Sequence, residues 1–338
     1  MTAGNEGAKE SSHATFGFLH DDEFSQLLRV AQAEAGLDVE FVEKDYLVTH
    51  VLWWLHHEGF VVSFKGGTSL AKCFGLIQRF SEDFDVHLLA PATMEVPLVP
   101  CWTPSGTAHS EDRLAYFEWL AHALKRTPGI TAVRHDVSRH APRHLNAVYY
   151  LEYHSKFPNT SISLQKSVQL EIAPDTIYAL VPQPATSLVH DALSSKLLAA
   201  YINNRPKTLS CAHPVATLLG KLDAICNQHA RASHPLRYMR HFDDAYHIIT
   251  AIPTLPPLPD GMTVQVLASR MRADKQIRRS YDANDTAFTL PDAVVDQAAL
   301  ETAHTGPPHA HRLAPPRRYR NRGVPWCHGP SRGHHARV

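Results

Sequence analysis

The spacing of hydrophobic residues changes several times along this chain, and each change marks a predicted element. Apolar residues recur at helical spacing in six segments, which predicts helices over 21–37, 40–57, 111–125, 189–201, 213–229 and 236–249. Alternating or β-branched apolar residues fill four other segments, which predicts strands over 61–64, 83–88, 147–153 and 163–172. Because strands dominate the first part and helices the second, the pattern predicts an α+β fold with a mixed sheet core and a C-terminal helical half.

Composition shifts divide the chain further. Residues 1–18 are predicted to be a disordered lead, 19–185 the core domain and 186–300 a helical C-terminal domain. The proline-rich segment 91–110 is predicted to be a surface loop. Residues 301–338 are rich in Pro, His and Arg, with almost no periodic apolar residues. Three interpretations of this tail stay open: a disordered tail, a basic arm that touches RNA, or non-native sequence translated out of the ancestral reading frame.

The overall composition excludes several classes of protein. The 338 residues are 44% hydrophobic, which is ample for a core, and the formal charge is zero, so any nucleic-acid site must be a local patch. The 24 histidines are scattered without zinc-site spacing, and the five cysteines are an odd number without framework spacing, which indicates reduced thiols in the cytoplasm. The polar N-terminus is not typical of a signal peptide, and the apolar stretch 46–55 is too short to span a membrane.

A Gly-Gly turn carries the first candidate chemistry. The strand predicted over 61–64 runs into Gly66 and Gly67, which allow positive φ and the close approach of a ligand to the backbone. Thr68 or Ser69 is predicted to cap the helix that follows. Since the N–H groups at a helix start favour an anion, this turn indicates a cradle for a triphosphate.

Two aspartates follow the turn. Asp83 and Asp85 alternate with apolar residues, so both carboxylates are expected on one face of a strand. Mg²⁺ prefers oxygen ligands and usually takes one or two carboxylates together with substrate phosphates. Either motif alone is weak, because Gly-Gly turns and solvated Asp-x-Asp faces are common. Their order and spacing together predict a metal-assisted nucleotide site.

These residues resemble the nucleotidyltransferase-like toxin family of abortive-infection and toxin–antitoxin systems, the AbiEii/AbiGii group that includes the MenT toxins. The resemblance rests on Phe-Lys-Gly-Gly-Thr-Ser-Leu at 64–70 and on Arg-Phe-Ser-Glu-Asp-Phe-Asp at 79–85, which follow the family signature nearly unbroken. Upstream, Glu-Lys-Asp at 43–45 is similar to the opening of a family helix. The resemblance covers roughly residues 40–250 and implies a nucleotidyltransferase-like fold.

Looser matches downstream supply further candidate residues. The motif Val-Gln-Leu-Glu-Ile resembles the family strand that offers a third carboxylate, here Glu171. A later helix resembles the one that presents a lysine, here Lys221. The motif Arg-His-Phe-Asp-Asp-Ala-Tyr places Asp244 on the family aspartate.

Two departures from the family pattern affect these matches. Gly220 stands where many relatives carry Glu, and a glycine weakens a helix interior by about 1 kcal/mol. Asp243 stands where relatives carry an aromatic residue, so it competes with Asp244 for the motif position. The flanking Arg240 and Tyr246 fall into register only if Asp244 fills that position, which favours Asp244.

The resemblance implies transfer of a nucleoside monophosphate from an NTP to an acceptor hydroxyl, with the acceptor end of tRNA as the best-supported target. It implies that the catalytic residues are Asp83, Asp85, Lys221 and Asp244. The triphosphate would be positioned by Lys65, Gly66, Gly67, Thr68 and Ser69. Mg²⁺ would be held by Asp83, Asp85 and Glu171. Lys221 would contact phosphates, Asp244 would deprotonate the acceptor or orient Lys221, and a cognate antitoxin would control the toxin.

Each role has a structural alternative. Lys221 could extend to solvent from an apolar helix, and Asp244 could pair with the arginine one turn earlier. Glu171 could be a buried structural partner, and Lys65 and Lys72 could bind phosphate or only solvate the surface. Two alternatives to transfer onto RNA also stay open: transfer to a protein or small-molecule hydroxyl, and a catalytically inactive binding protein of the same fold.

Overall fold

The computed structural model describes most of the chain, with gaps. It covers residues 23–77, 83–102, 109–157, 166–173, 176–194, 201, 203–231 and 235–278. Several predicted features lie outside these residues: the lead at 1–18, residues 79–82 of the signature, part of the strand at 163–172, part of the helix at 189–201 and the tail at 301–338.

The described residues form eight helices and seven strands. The helices are α1 Phe24–Ala35, α2 Val39–His57, α3 Gly66–Lys72, α4 Ser110–Leu124, α5 Leu188–Ala192, α6 Pro214–Arg231, α7 Pro235–Ala251 and α8 Val264–Ala273. The strands are β1 Val61–Lys65, β2 Asp83–Leu89, β3 Ile130–His135, β4 Ala147–Tyr153, β5 Ser167–Ile172, β6 Leu180–Gln183 and β7 Leu209–Ala212. No helix among them is long and apolar enough to cross a membrane.

All seven strands join one sheet, in the order β3-β4-β5-β2-β1-β7-β6. The sheet is mixed: β2 pairs antiparallel with β1 and parallel with β5, and β1 pairs parallel with β7. This arrangement confirms the predicted α+β fold with a mixed sheet.

The two faces of the sheet differ in polarity. On β2, Phe84, Val86 and Leu88 are buried in the main core together with side chains of α1, α2 and α4. Asp83 and Asp85 alternate with them and are only partly buried, so they lie on the opposite face. We call this second surface the aspartate face.

Helix α2 corrects one prediction. Its sequence suggests an amphipathic helix, but it is buried on nearly all sides, including the charged Glu43 and Lys44. Burial raises the pKa of the Glu43 carboxyl, although hydrogen bonds from Ser155 Oγ at 2.6 Å and from the Lys156 N–H at 2.7 Å act in the opposite direction. The Glu-Lys-Asp segment of the resemblance is therefore part of the protein interior.

Four elements of the structure were not predicted from the sequence: β3, β6, β7 and α8. Strand β6 carries Pro182, which suits the edge position that this strand occupies. Strand β7 has only four residues, too few for a recognisable alternation. It lies inside the segment 186–300, where the sequence predicts a helical domain, and it pairs with β1 in the sheet. The domain boundaries themselves stay a prediction.

Candidate active site

The Gly-Gly turn brings the backbone of α3 against a carboxylate of β2. Gly66 begins α3 directly after β1, with φ 81°, in the left-handed region that favours glycine. A Cβ atom at this position would overlap Asp85 Oδ2. Absence of a side chain at Gly66 thus lets the start of α3 approach the Asp85 carboxylate closely.

The cap of α3 differs from the prediction. Because the helix begins at Gly66, the N-cap residue is Lys65, and its side chain makes no capping hydrogen bond. Thr68 Oγ1 instead donates to the Asp83 carbonyl, and Ser69 Oγ donates to the Gly66 carbonyl at 3.0 Å. Both side chains are buried. These two residues fix the turn and tie it to β2, and their contacts with a triphosphate stay a prediction.

Strand register gathers charged residues around Asp85. Lys65 is its antiparallel partner on β1, and Glu171 is its parallel partner on β5. Asp83 lies two residues earlier on the same face of β2. Three carboxylates and one lysine therefore occupy neighbouring positions on the aspartate face.

The electrostatics of this group centre on Asp85. Burial raises the pKa of its carboxyl to about 7, and the charges of Asp83 and Glu171 act in the same direction. The charges of Lys65 and Lys221 lower that pKa. A carboxyl with this balance gains strongly from an added cation, because the cation would stabilise its ionised form.

Glu171 is engaged by protein donors. Its Oε1 accepts a hydrogen bond from Gln169 Nε2 at 2.7 Å and lies 3.0 Å from Arg139 Nη2. Arg139 Nη1 also donates to the Tyr150 hydroxyl at 2.8 Å. Arg139 would have to release this oxygen before it could bind a metal ion. Metal binding by Glu171 therefore stays a prediction, whereas its role as an ion-pair partner is observed.

The second pair of candidate residues lies on the two helices that follow β7. Lys221 Nζ on α6 is 2.7 Å from Asp244 Oδ2 on α7. A small apolar cluster joins these helices to α3 through Leu70, which packs with Leu218 and Ile248 among others. The helical half is thereby attached to the Gly-Gly turn, and Lys221 is close enough to lower the pKa of Asp85.

Lys72 does not belong to this group. Its Nζ forms a buried ion pair with the Asp45 carboxylate and also donates to the Asp45 carbonyl at 3.0 Å. The other Asp45 oxygen accepts from the Leu188 N–H at 2.8 Å. Both alternatives predicted for Lys72, phosphate binding and surface solvation, are therefore wrong, and the residue holds α3 to α2.

The carboxylate pair fits a hard divalent cation. Within the described ranges, no group of three or more His, Cys, Asp and Glu side chains is arranged to hold a metal ion. Mg²⁺ does not require such a group, since one or two carboxylates plus substrate phosphates are its usual ligands. Asp83 and Asp85 supply those carboxylates, and the Asp85 carboxylate lies against the start of α3, in the space that a side chain at Gly66 would take.

A mixed sheet that sets a glycine turn against an aspartate pair, with a lysine nearby, has the architecture of a nucleotidyltransferase. The family model described as "Nucleotidyl transferase AbiEii toxin, Type IV TA system" matches residues 56–317, more than half of the chain. The chain therefore belongs to the AbiEii family of nucleotidyltransferase toxins, whose type IV toxin–antitoxin systems imply a cognate antitoxin. No curated protein matches the chain.

Two polar contacts of the site were absent from the predictions. Gln169 was detectable, because it lies two residues before Glu171 on one strand and so shares its face. Arg139 lies in a 3₁₀ turn between β3 and β4, and its reach across β4 to Glu171 has no local signal in the sequence.

Proposed function

We propose that this toxin transfers a nucleoside monophosphate from an NTP to a hydroxyl group of RNA, at the acceptor end of tRNA. The observation that carries the proposal is the contact between Gly66 and the Asp85 carboxylate, with Lys65 and Lys221 nearby. A phosphate chain placed along the start of α3 would meet a carboxylate pair on one side and two cations on the other. Membership of the family supports transferase chemistry.

Asp83 and Asp85 would hold Mg²⁺, which when bound neutralises charge on the phosphates. The backbone of Gly66 and Gly67 would position the triphosphate, and Lys65 would add a positive charge beside it. In the transfer step, the acceptor oxygen forms a bond to the α-phosphorus while the bond to pyrophosphate breaks, and the hydroxyl proton passes to solvent. Pyrophosphate leaves with the electron pair of the broken bond.

Lys221 would contribute a compact charge to the phosphates, and Asp244 would orient it. Of the two roles considered for Asp244, orientation is favoured by its burial and by its 2.7 Å contact with Lys221. Asp243 is 47% exposed and lies 3.5 Å from His247 on the same helix, away from this pair. We therefore assign the motif position to Asp244 and place the reaction in the cytoplasm, where NTPs and tRNA meet.

The direct test incubates the purified protein with Mg²⁺, total tRNA and each α-labelled NTP in turn. We expect label on tRNA with the unaltered protein, and none with Asp85→Asn or after chelation of the metal. Label on protein in place of tRNA would support transfer to a protein hydroxyl. No labelled acceptor with a folded protein would overturn the proposal in favour of an inactive binding protein.

A further inference from the structure

A row of side chains crosses four strands on the aspartate face. Arg134 on β3 pairs in register with Tyr150 on β4, Tyr150 with Gln169 on β5, and Gln169 with Asp83 on β2. Partners in register share a face of the sheet, so all four side chains project on the side of the aspartates. With strands about 4.8 Å apart, the row runs roughly 14 Å from Asp83 to Arg134.

The far end of this row is a stacked, exposed arginine. The Arg134 guanidinium carbon lies 3.9 Å from the centroid of the Tyr150 ring, which is a stacking distance. The Arg134 side chain is 53% exposed, whereas Tyr150 is buried beneath it. Arg139 donates to the Tyr150 hydroxyl and connects it to Glu171. We call Arg134, Arg139 and Tyr150 the arginine platform.

The position of the platform relative to the phosphate cradle indicates which substrate it meets. Lys65 and Gly66 lie at the end of β1, and Lys221 lies on a helix packed against α3, so the triphosphate belongs on the β1 side of Asp85. In-line transfer requires the acceptor to approach opposite the leaving pyrophosphate. The β5–β4–β3 side of the face, where the platform lies, is therefore the acceptor side.

The chemistry of the platform suits a single-stranded nucleic acid. Unpaired bases of RNA ends stack on aromatic rings and on arginine guanidinium planes, and arginine also binds phosphate groups with paired donors. Arg134 has an ion-pair partner in Asp136, whose Oδ2 lies 3.6 Å from Nη1. Such a long pair beside an exposed side chain is weak, so a phosphodiester can replace Asp136 at little cost.

We propose that the arginine platform binds the single-stranded 3′ end of the acceptor RNA and directs its terminal hydroxyl toward Asp83 and Asp85. This assignment rests on the proposed function, because it names the surface that the RNA acceptor uses. Arg134 is a binding residue in this arrangement. It lies too far along the sheet from the aspartates to take part in the transfer itself.

The test compares Arg134→Ala with Arg126→Ala in the labelled-transfer assay. Arg126 is a matched control: its side chain is 57% exposed, and it follows α4, which packs on the other face of the sheet. We expect Arg134→Ala to raise the KM for tRNA by roughly tenfold or more, because one base-stacking contact is lost. The KM for NTP should stay unchanged. Arg134→Lys should recover only part of the affinity, because lysine keeps the positive charge but lacks the planar guanidinium group that stacks on a base.

Two further readouts separate this proposal from its alternatives. The dependence of tRNA affinity on salt should become shallower in Arg134→Ala, since a phosphate contact is lost, and should stay the same in Arg126→Ala. An unchanged KM for tRNA in Arg134→Ala, or a raised KM for NTP alone, would overturn the role of the arginine platform in RNA binding. If the unaltered protein still labels tRNA in that case, the proposed transfer onto RNA stands. Absence of tRNA labelling by the unaltered protein would overturn both.

Discussion

Lys221 Nζ lies 2.7 Å from Asp244 Oδ2, and the Asp244 side chain has no solvent exposure. The two residues come from different helices, so their ion pair holds α6 against α7 as well as placing the lysine near Asp85. Removal of one member of a buried pair leaves the other charge in a poor environment, which costs more than the pair itself contributes.

We expect Lys221→Met to lower the free energy of unfolding by about 3 kcal/mol in urea denaturation. The double variant Lys221→Met/Asp244→Asn should be less destabilised than the single one, because no uncompensated charge is left. Asp243→Asn is the matched control, on the same helix as Asp244. The Asp243 side chain is exposed, which predicts a change in the free energy of unfolding within about 0.5 kcal/mol. A loss in Lys221→Met no larger than that of the control would contradict the structural role of the pair.

Gly66→Ala should abolish most transfer activity. The added methyl group would overlap Asp85 Oδ2, and displacement of a site group by about 1 Å can cost roughly 100-fold in rate. Gly75→Ala is the matched control, since Gly75 also has positive φ, at 62°, but no heavy atom lies within 4 Å of the place its methyl group would take. Both variants should lose about 1–2 kcal/mol of stability from backbone strain. Only Gly66→Ala should lose activity; equal activities would show that the Gly66–Asp85 contact is not required.

Gly220→Ala should stabilise the protein. Gly220 lies inside α6, and a Cβ there would meet no heavy atom within 4 Å. Alanine is the better helix former, so the free energy of unfolding should rise by up to about 1 kcal/mol. Gly261→Ala is the opposite control, because that position is equally open but has φ 64°, and it should destabilise. A destabilised Gly220→Ala would mean that the departure from the family pattern serves another purpose.

His190 should contribute less to stability as the pH drops below about 6.5, whereas Asp85, whose pKa is raised to about 7, acts in the opposite direction. Burial lowers the pKa of His190 to about 3, in a cluster where its ring contacts Ser187 Oγ and Asn204 Oδ1. Between pH 6.5 and 3 the unfolded chain binds a proton at His190 that the folded protein does not. This group therefore lowers the free energy of unfolding by about 1.4 kcal/mol for each unit by which the pH falls. His140, with a pKa lowered to about 4, acts in the same sense.

The measurement is the free energy of unfolding in urea at a series of pH values between 7 and 4, on the order of half a unit apart. Relative to the unaltered protein, His190→Asn should lose less stability between pH 7 and 4, because the contributions of His140 and Asp85 are common to both proteins. An equal decline in both proteins would exclude His190 as a source of acid sensitivity.

The centre of the site was predictable because its signals are local. A β-branched run, two glycines and an alternating Asp-x-Asp strand lie within thirty residues, and the structure forms β1, α3 and β2 from them. The roles of Thr68 and Ser69 were not predictable in the same way. A helix that begins at Gly66 starts three residues earlier than a cap at Thr68 would allow, and this start places the positive φ of the glycine beside Asp85.

Contacts between distant segments could not be derived from the sequence. The Arg139–Glu171 ion pair spans thirty-two residues and depends on the path of the turn between β3 and β4. The Lys72–Asp45 pair replaces a predicted surface lysine, because Lys72 at the end of α3 reaches Asp45 of α2 and both side chains are largely buried. Strand β7 was missed because its position beside β1 is set by sheet pairing, and four residues carry too little periodicity.

The central claim is that Asp83 and Asp85 direct transfer of a nucleotide onto RNA, and the mass of the acceptor tests it most directly. Purified tRNA is incubated with the protein, Mg²⁺ and one NTP at a time. The mass of the 3′-terminal fragment of the tRNA is then measured by mass spectrometry. We predict a gain equal to one or more whole nucleoside monophosphate residues with the unaltered protein, and no gain with Asp85→Asn or with chelator. An unchanged fragment with every NTP, or an equal gain with Asp85→Asn, would contradict the assignment of the site.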